Sequence, residues 1–96
     1  NKHAQMEKVL VQKYGRKAFD AMENFRPYIG MPEGIVREYK LVMQDVNFHA
    51  YGFVRVEYGY KVYLPTQFFA TTASYINARF PRAIYTKNGK VAAIKW

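Results

Sequence analysis

Residues 48–64 read FHAYGFVRVEYGYKVYL, and this stretch decides the fold class. It is dense in aromatic and β-branched residues, which favour strands over helices. Residues 48–58 give the strongest strand prediction, and residues 60–64 give another strand after Gly59. Because the connection between them is short enough for a tight turn, we expect the two strands to pair as an antiparallel hairpin.

A second hairpin is predicted near the end of the sequence, where residues 88–89 are Asn-Gly. Both central residues of a type I′ turn have positive φ, which Asn and Gly tolerate best. A two-residue loop of this kind would place Tyr85 opposite Ala92 and Arg82 opposite Lys95.

Helical periodicity flanks the predicted strands. In residues 3–25, apolar side chains recur at steps of three and four, which predicts an N-terminal helix that ends before Pro27. Gly15 marks either a weak point in this helix or a break between two short helices. Thr66 is a candidate N-cap for a second helix over residues 66–80.

The order of elements predicts an α+β domain. It consists of an N-terminal helix, an antiparallel five-stranded sheet or small OB-like barrel, and a second helix before the C-terminal hairpin. Residues 35–43 supply one more strand, and residues 44–47 form the turn after it. The 96 residues are enough for one domain, with residues 1–26 as a helical segment and residues 34–96 as a β-rich core.

Composition narrows the classes of function. Fifteen Lys and Arg against seven Asp and Glu give a net charge of +8, while half of the residues are hydrophobic, which argues against a disordered basic tail. Cysteine is absent and there are only two histidines, so we expect no disulfide and no metal site. Since no apolar run approaches the roughly 20 residues that span a bilayer, we expect a soluble, cytoplasmic domain without a membrane partner.

The positive charge is concentrated in the C-terminal part of the sequence. Residues 58–96 contain six Lys and Arg and no Asp or Glu. Cations without neighbouring acids create a positive field that attracts polyanions such as nucleic acids. The side chains expected to meet phosphates are His49, Arg55, Lys61, Arg82, Lys87, Lys90 and Lys95.

The predicted strand over residues 48–58 combines aromatic and charged side chains on one face. Because side chains alternate along a strand, Tyr51 and Phe53 share a face with charged residues. Single-stranded nucleic acid requires this combination, since bases stack on rings and phosphates pair with cations. Tyr63 on the neighbouring strand would extend the platform. In the alternative interpretation a helix covers this face, and Tyr51 and Phe53 belong to the core.

Three segments are similar to cold-shock domains. Residues 49–54 (HAYGFV) resemble the first nucleic-acid-binding motif of that family, Lys-Gly-Phe-Gly-Phe-Ile, with their two rings at its stacking positions. Residues 62–65 (VYLP) resemble its second motif, and residues 34–39 (GIVREY) resemble its opening strand. The resemblance covers residues 34–65 and implies an oligonucleotide-binding barrel that binds single-stranded RNA or DNA without a cofactor.

Other functions stay open beside this favoured prediction of a non-enzymatic nucleic-acid-binding protein. A small inhibitor or adaptor would dock on the acidic surface of another protein, because tyrosine and arginine are common in interface hot spots. A metal-free ribonuclease would use His49, Arg55 and Glu57, although the first and last lie roughly eight residues apart along one strand. A helix-turn-helix protein would use Gly15 as its turn and residues 82–96 as a wing.

Overall fold

The computed structural model describes residues 1–43 and 45–96. Within these residues, helices and antiparallel strands confirm the α+β prediction, but the strands form two open sheets of four and two strands. The predicted single sheet of five strands and the closed barrel are therefore wrong. The helices are α1 (Lys2–Tyr14), α2 (Arg16–Glu23), α3 (Glu33–Glu38) and α4 (Gln67–Tyr75). The strands are β1 (Lys40–Met43), β2 (Val46–His49), β3 (Tyr51–Glu57), β4 (Tyr60–Pro65), β5 (Ala83–Lys87) and β6 (Lys90–Lys95).

The larger sheet is a meander in the order β3-β4-β5-β6. Both predicted hairpins are present in it. Tyr58 and Gly59 turn between β3 and β4 with φ of 50° and 82°, and Asn88 and Gly89 turn between β5 and β6 with φ of 54° and 77°. Positive φ at both central residues is the signature of the tight hairpin turn. Because β4 and β5 are antiparallel neighbours, both turns lie at the same end of the sheet.

The helices cover one face of this sheet. The sheet contributes Tyr51, Tyr63, Ile84 and Val91 to a single hydrophobic core, which also contains side chains from all four helices. Burial of apolar surface, worth about 25 cal/mol per Å², is what holds this face against the helices. From the helices, the core includes Leu10, Ala18, Phe19, Met22, Ile35, Val36, Phe69 and Ala73.

The strand predicted over residues 48–58 is interrupted at Ala50, which is 1% exposed. Its N–H donates to the Tyr39 carbonyl at 3.4 Å, and its carbonyl accepts the N–H of Thr66 at 3.0 Å. The strand before it, β2, pairs with β1, whereas β3 pairs with β4. Aromatic and β-branched residues on both sides predict extended backbone correctly, but they carry no signal for a change of sheet.

The strand predicted over residues 35–43 is correct only for β1. The preceding residues form α3, which buries Ile35 and Val36, and the C-cap residue Tyr39 is buried directly after it. β-branched residues favour strands locally, and burial against the other helices overrides that preference here. The opening strand that the cold-shock resemblance implies is thus a helix. Of the turn predicted at residues 44–47, residue 44 lies outside the described residues, Asp45 has a φ of 65°, and the last two belong to β2.

The helices are shorter than predicted. Gly15, with a φ of 94°, separates α1 from α2, so two short helices replace one long one. Thr66 caps α4 as expected, and its side-chain oxygen accepts a backbone N–H at 3.3 Å. This helix ends at Tyr75, because the left-handed backbone of Asn77 reverses the chain before Pro81. Across the described parts of the chain, none of the helices is both long and apolar enough to cross a membrane.

The register of the C-terminal hairpin differs from the prediction. Tyr85 lies opposite Ala93, and Lys95 lies opposite Ala83, each one residue away from the predicted partner. The cause is a β-bulge that inserts Ala92 as an extra residue in β6. The bulge brings Lys95 to the same face of the sheet as Tyr85, on the side away from the helices.

Candidate nucleic-acid interface

The structure places two of the three predicted stacking residues in the core. Tyr51 and Tyr63 are 3% and 1% exposed. Their hydroxyls donate to the Pro81 carbonyl at 2.8 Å and to the Glu33 carboxylate at 2.6 Å. Neither ring offers a face to a base, so a stacking role for these two residues is wrong. Phe53 is 55% exposed and meets Tyr63 edge-on, with 6.0 Å between ring centroids.

Burial changes the acidity of these core phenols. Desolvation, followed by the hydrogen bond to Glu33, raises the pKa of Tyr63 to about 12. Burial also raises the pKa of Tyr51, and burial together with Glu23 raises that of Tyr39. Because they stay protonated at neutral pH, these hydroxyls act as permanent hydrogen-bond donors inside the fold.

The opposite face of the four-stranded sheet, which we call the outer face, carries a different pair of rings. Tyr60 and Tyr85 lie on neighbouring strands, with 6.4 Å between ring centroids and an angle of 82° between ring planes. Val62, which pairs with Tyr85, is fully buried yet lies outside the hydrophobic core shared with the helices. Val62 is therefore covered by neighbouring side chains of the outer face, and the rings of Tyr60 and Tyr85 stay half-buried at the surface.

Side chains on the outer face are arranged in rows across the strands. The middle row runs Arg55, Val62, Tyr85 and Ala93. The row at the turn end brings together Glu57 and Tyr60 from one hairpin and Lys87 and Lys90 from the other. The Lys87 ammonium lies 4.9 Å from the centroid of the Tyr60 ring, within the range of a cation–π interaction.

Between these two rows lies a hollow of about 330 Å³, which we call the tyrosine hollow. Tyr58 stands at its rim and is 92% exposed, because it occupies the turn between β3 and β4. Three phenol rings and the small side chain of Ala93 surround the hollow. The hollow is lined by Glu57, Tyr58, Tyr60, Tyr85 and Ala93.

Most of the C-terminal cations have no acidic partner. Of the six in residues 58–96, only Lys61 lies within 4 Å of a carboxylate among residues 1–43 and 45–96, and its partner is Glu33 at 3.8 Å. On β3, Arg55 is paired with Glu57 at 2.9 Å. The cations left without an acid are Arg79, Arg82, Lys87, Lys90 and Lys95.

The structure brings together part of the predicted phosphate-binding set. Arg55, Lys87 and Lys95 lie on the outer face, and Lys90 lies at its turn end. Lys61 points to the helix side of the sheet.

His49 and Arg82 lie away from the other predicted phosphate-binding residues. His49 belongs to the two-stranded sheet and lines a groove of about 500 Å³ beside α1, away from Arg55 and Glu57. The ribonuclease constellation is therefore not assembled. Arg82 directly precedes β5, at the end of the sheet away from the two turns.

A second pocket, the end pocket, lies at that far end and has a volume of about 460 Å³. The N–H of Arg82 donates to the carbonyl of Lys95 at 2.7 Å, which links the pocket to the outer face. The guanidinium of Arg26 lies 5.2 Å from the centroid of the Trp96 ring, which is half exposed. The lining residues are Ser74, Ala78, Arg79, Phe80, Arg82 and Trp96.

Sequence reasoning missed Tyr60, Tyr85 and Trp96. A signal for Tyr85 was present, because Tyr85 and Lys87 share one face of the predicted C-terminal hairpin. The alternation of side chains along the strands does not indicate which of the two sheet faces the helices cover. Among the described residues, no three potential metal ligands come together.

Comparison of the chain with family models, with curated proteins and with solved structures found no match.

Proposed function

We propose that this protein binds single-stranded RNA or DNA across the outer face of its four-stranded sheet, without a cofactor. The observation that supports this best is the tyrosine hollow, where the ring of Tyr60 lies 4.9 Å from the Lys87 ammonium, a cation with no carboxylate within 4 Å among the described residues. A base stacked on an aromatic side chain contributes about 1–3 kcal/mol, and lysines neutralise the adjacent phosphates. Stacking is tolerant of sequence, so the proposal is for binding with little base preference.

In this proposal the bound strand follows the direction of β5. It would run from the tyrosine hollow, past Tyr85, to Lys95 and the end pocket. From Lys87 to Arg82 the distance along β5 is roughly five residues at 3.3 Å each, about 17 Å, which suits a segment of a few nucleotides. Because the rings of Tyr60 and Tyr85 are nearly perpendicular, one of them stacks on a base while the other contacts the base edge.

The direct test removes both rings. Tyr60→Ala combined with Tyr85→Ala should weaken binding of a fluorescently labelled single-stranded oligonucleotide at least tenfold, as measured by fluorescence anisotropy at low salt. Tyr75→Ala is the matched control, because Tyr75 is 89% exposed and lies on α4. The proposal fails if the double variant retains its fold by circular dichroism and binds as tightly as the unaltered chain.

The second candidate function is an adaptor that docks on the acidic surface of another protein. The same hollow favours it, because tyrosines beside cations are typical of interface hot spots. Salt separates the two candidates only in part, because attraction between a cationic surface and an acidic protein is also screened. Nucleic-acid binding should be shared by unrelated oligonucleotides, with log K falling steeply and linearly against log salt, whereas tight, salt-tolerant binding to one protein would favour the adaptor.

A further inference from the structure

The two edges of the four-stranded sheet differ in how they are protected. Residues 30–33 cover part of the β6 edge. Gly30 donates to the Val91 carbonyl and Val91 donates to the Met31 carbonyl, each at 2.8 Å, while Glu33 donates to the Gly89 carbonyl at 2.9 Å. Along the β3 edge from residue 53 onward, no backbone hydrogen bond to a further segment is formed within the described parts of the chain.

The uncovered edge is also apolar. Phe53, Val54 and Val56 are 55%, 51% and 64% exposed. An exposed edge strand with apolar side chains is a template for pairing with another strand, which proteins normally block with charge or with a covering segment. The β6 edge is partly covered, whereas the β3 edge has no covering segment among the described residues and carries only a β-bulge at Val54 and the charges of Arg55 and Glu57. The part of the β3 edge from Arg55 onward is therefore a candidate for an interface.

Backbone geometry shows which groups on β3 are free. Glu57 and Tyr60 flank the two-residue turn and form a mutually hydrogen-bonded pair. Such pairs alternate with non-hydrogen-bonded pairs along an antiparallel ladder. The next pair, Val56 with Lys61, is therefore a non-hydrogen-bonded pair. The N–H and carbonyl of Val56 are directed away from β4, to the open edge.

The charges on either side of Val56 indicate which strand would pair with the β3 edge. The sequence reads Arg55-Val56-Glu57, with a cation on one side of the valine and an anion on the other. Within one chain these two side chains are already paired at 2.9 Å. An antiparallel pair about a two-fold axis through Val56 also places Arg55 opposite Glu57 of the partner subunit, and the reverse contact forms as well, so each charge then has an opposite charge on both chains. A shift of the axis to Arg55 or to Glu57 would place like charges opposite each other, which is unfavourable.

We propose that two copies of this chain associate through β3, antiparallel and centred on Val56, to form a continuous eight-stranded sheet. Each Val56 exchanges two backbone hydrogen bonds with Val56 of the partner subunit, and two Arg–Glu pairs flank them. A two-fold axis makes such an interface self-complementary and closed. Since each chain carries a net charge of +8, added salt should strengthen this association, whereas it weakens binding to nucleic acid.

The test uses two charge reversals, measured without nucleic acid by sedimentation velocity. Arg55→Glu and Glu57→Arg should each weaken self-association at least tenfold, because each places like charges opposite each other. In an equimolar mixture the two variants are complementary, so a heterodimer should form about as readily as the dimer of the unaltered chain. Lys8→Glu is the control, because it changes the net charge as Arg55→Glu does but alters an exposed residue on α1.

Two results would overturn the proposal. One is a chain that stays monomeric up to about 1 mM in moderate salt, since association weaker than this is not a specific interface. The other is a pair of single variants that associate as well as the unaltered chain. If a charge variant does not fold, Val56→Lys at this exposed position takes its place and should abolish the dimer. None of these outcomes depends on whether the outer face binds nucleic acid.

Discussion

Tyr63 carries a hydroxyl into the core, where the Glu33 carboxylate accepts its hydrogen bond at 2.6 Å. Glu33 is itself 6% exposed, and its other partner is the Lys61 ammonium at 3.8 Å. A buried carboxylate is tolerated only where donors replace water. The pair therefore explains both why an aromatic residue with a polar tip occupies this position and why an acid can lie beneath the sheet.

Tyr63→Phe should lower the free energy of unfolding by about 1–3 kcal/mol, because it leaves the Glu33 carboxylate short of a donor. Urea denaturation followed by circular dichroism measures this change. Tyr75→Phe removes the same atom from an exposed residue and should leave stability unchanged. Equal stability of the two variants would show that the hydroxyl of Tyr63 does not stabilise the fold.

At the scale of single residues, local chemistry predicts some positions and not others. Asn88 with Gly89 and Thr66 with its cap are readable from the sequence, because turns and caps depend on neighbours along the chain. The roles of Tyr51 and Tyr60 are not readable in this way. Both lie in strands rich in aromatic residues, and only the position of the helices decides which ring is buried.

Among the elements, the β5–β6 hairpin contributes most to the proposed function. Its turn holds Lys87 beside the ring of Tyr60, and its bulge at Ala92 brings Lys95 to the outer face. A strictly alternating register would have turned Lys95 toward the helices. The sequence could predict the turn but not the bulge, because the apolar residues of β6 are compatible both with a regular register and with a register that contains one extra residue.

Lys87→Glu combined with Lys90→Glu should reduce the dependence of oligonucleotide affinity on salt. Each lost phosphate contact lowers the slope of log K against log salt by about 0.7 for single strands, so two contacts lower it by about 1.4. Anisotropy titrations at several salt concentrations measure the slope. The control is Lys2→Glu combined with Lys8→Glu on α1, which changes net charge equally. An unaltered slope would exclude this hairpin from the phosphate contacts.

Across the whole molecule, opposite charges are distributed unevenly. The acids of the helical half are engaged locally: Glu38 with Lys13, and both Glu7 and Asp20 with Arg16. Exposed pairs of this kind add little to stability. Uncompensated positive charge lies on the helical half as well as on the sheet, because six other cations have no carboxylate within 4 Å among the described residues. These cations are Lys2, Lys8, Lys17, Arg26, Arg37 and Lys40.

Four tyrosines make the fold as a whole sensitive to alkaline pH. The pKa values of Tyr14 and Tyr63 are raised to about 12, and those of Tyr39 and Tyr51 are also raised, with burial as the largest cause in each case. A raised pKa means that the folded chain holds the phenolic proton more tightly than the unfolded chain does. The stability they provide is therefore complete below pH about 10 and is lost as the pH rises beyond it.

Alkaline titration should accordingly show these four phenols ionising together with loss of structure. The measurement is ultraviolet absorbance of the phenolate, recorded alongside circular dichroism. Ionisation of all nine tyrosines while the dichroism signal is retained would contradict the expectation.

The tyrosine hollow lies next to the strand through which two chains would pair, because Glu57 and Tyr58 line it and also adjoin the β3 edge. Pairing about Val56 would therefore set two hollows side by side across the symmetry axis. A nucleic-acid strand long enough to reach both would gain avidity, since its second contact would be intramolecular. Oligonucleotide length, more than base sequence, would then determine how tightly the protein holds its ligand.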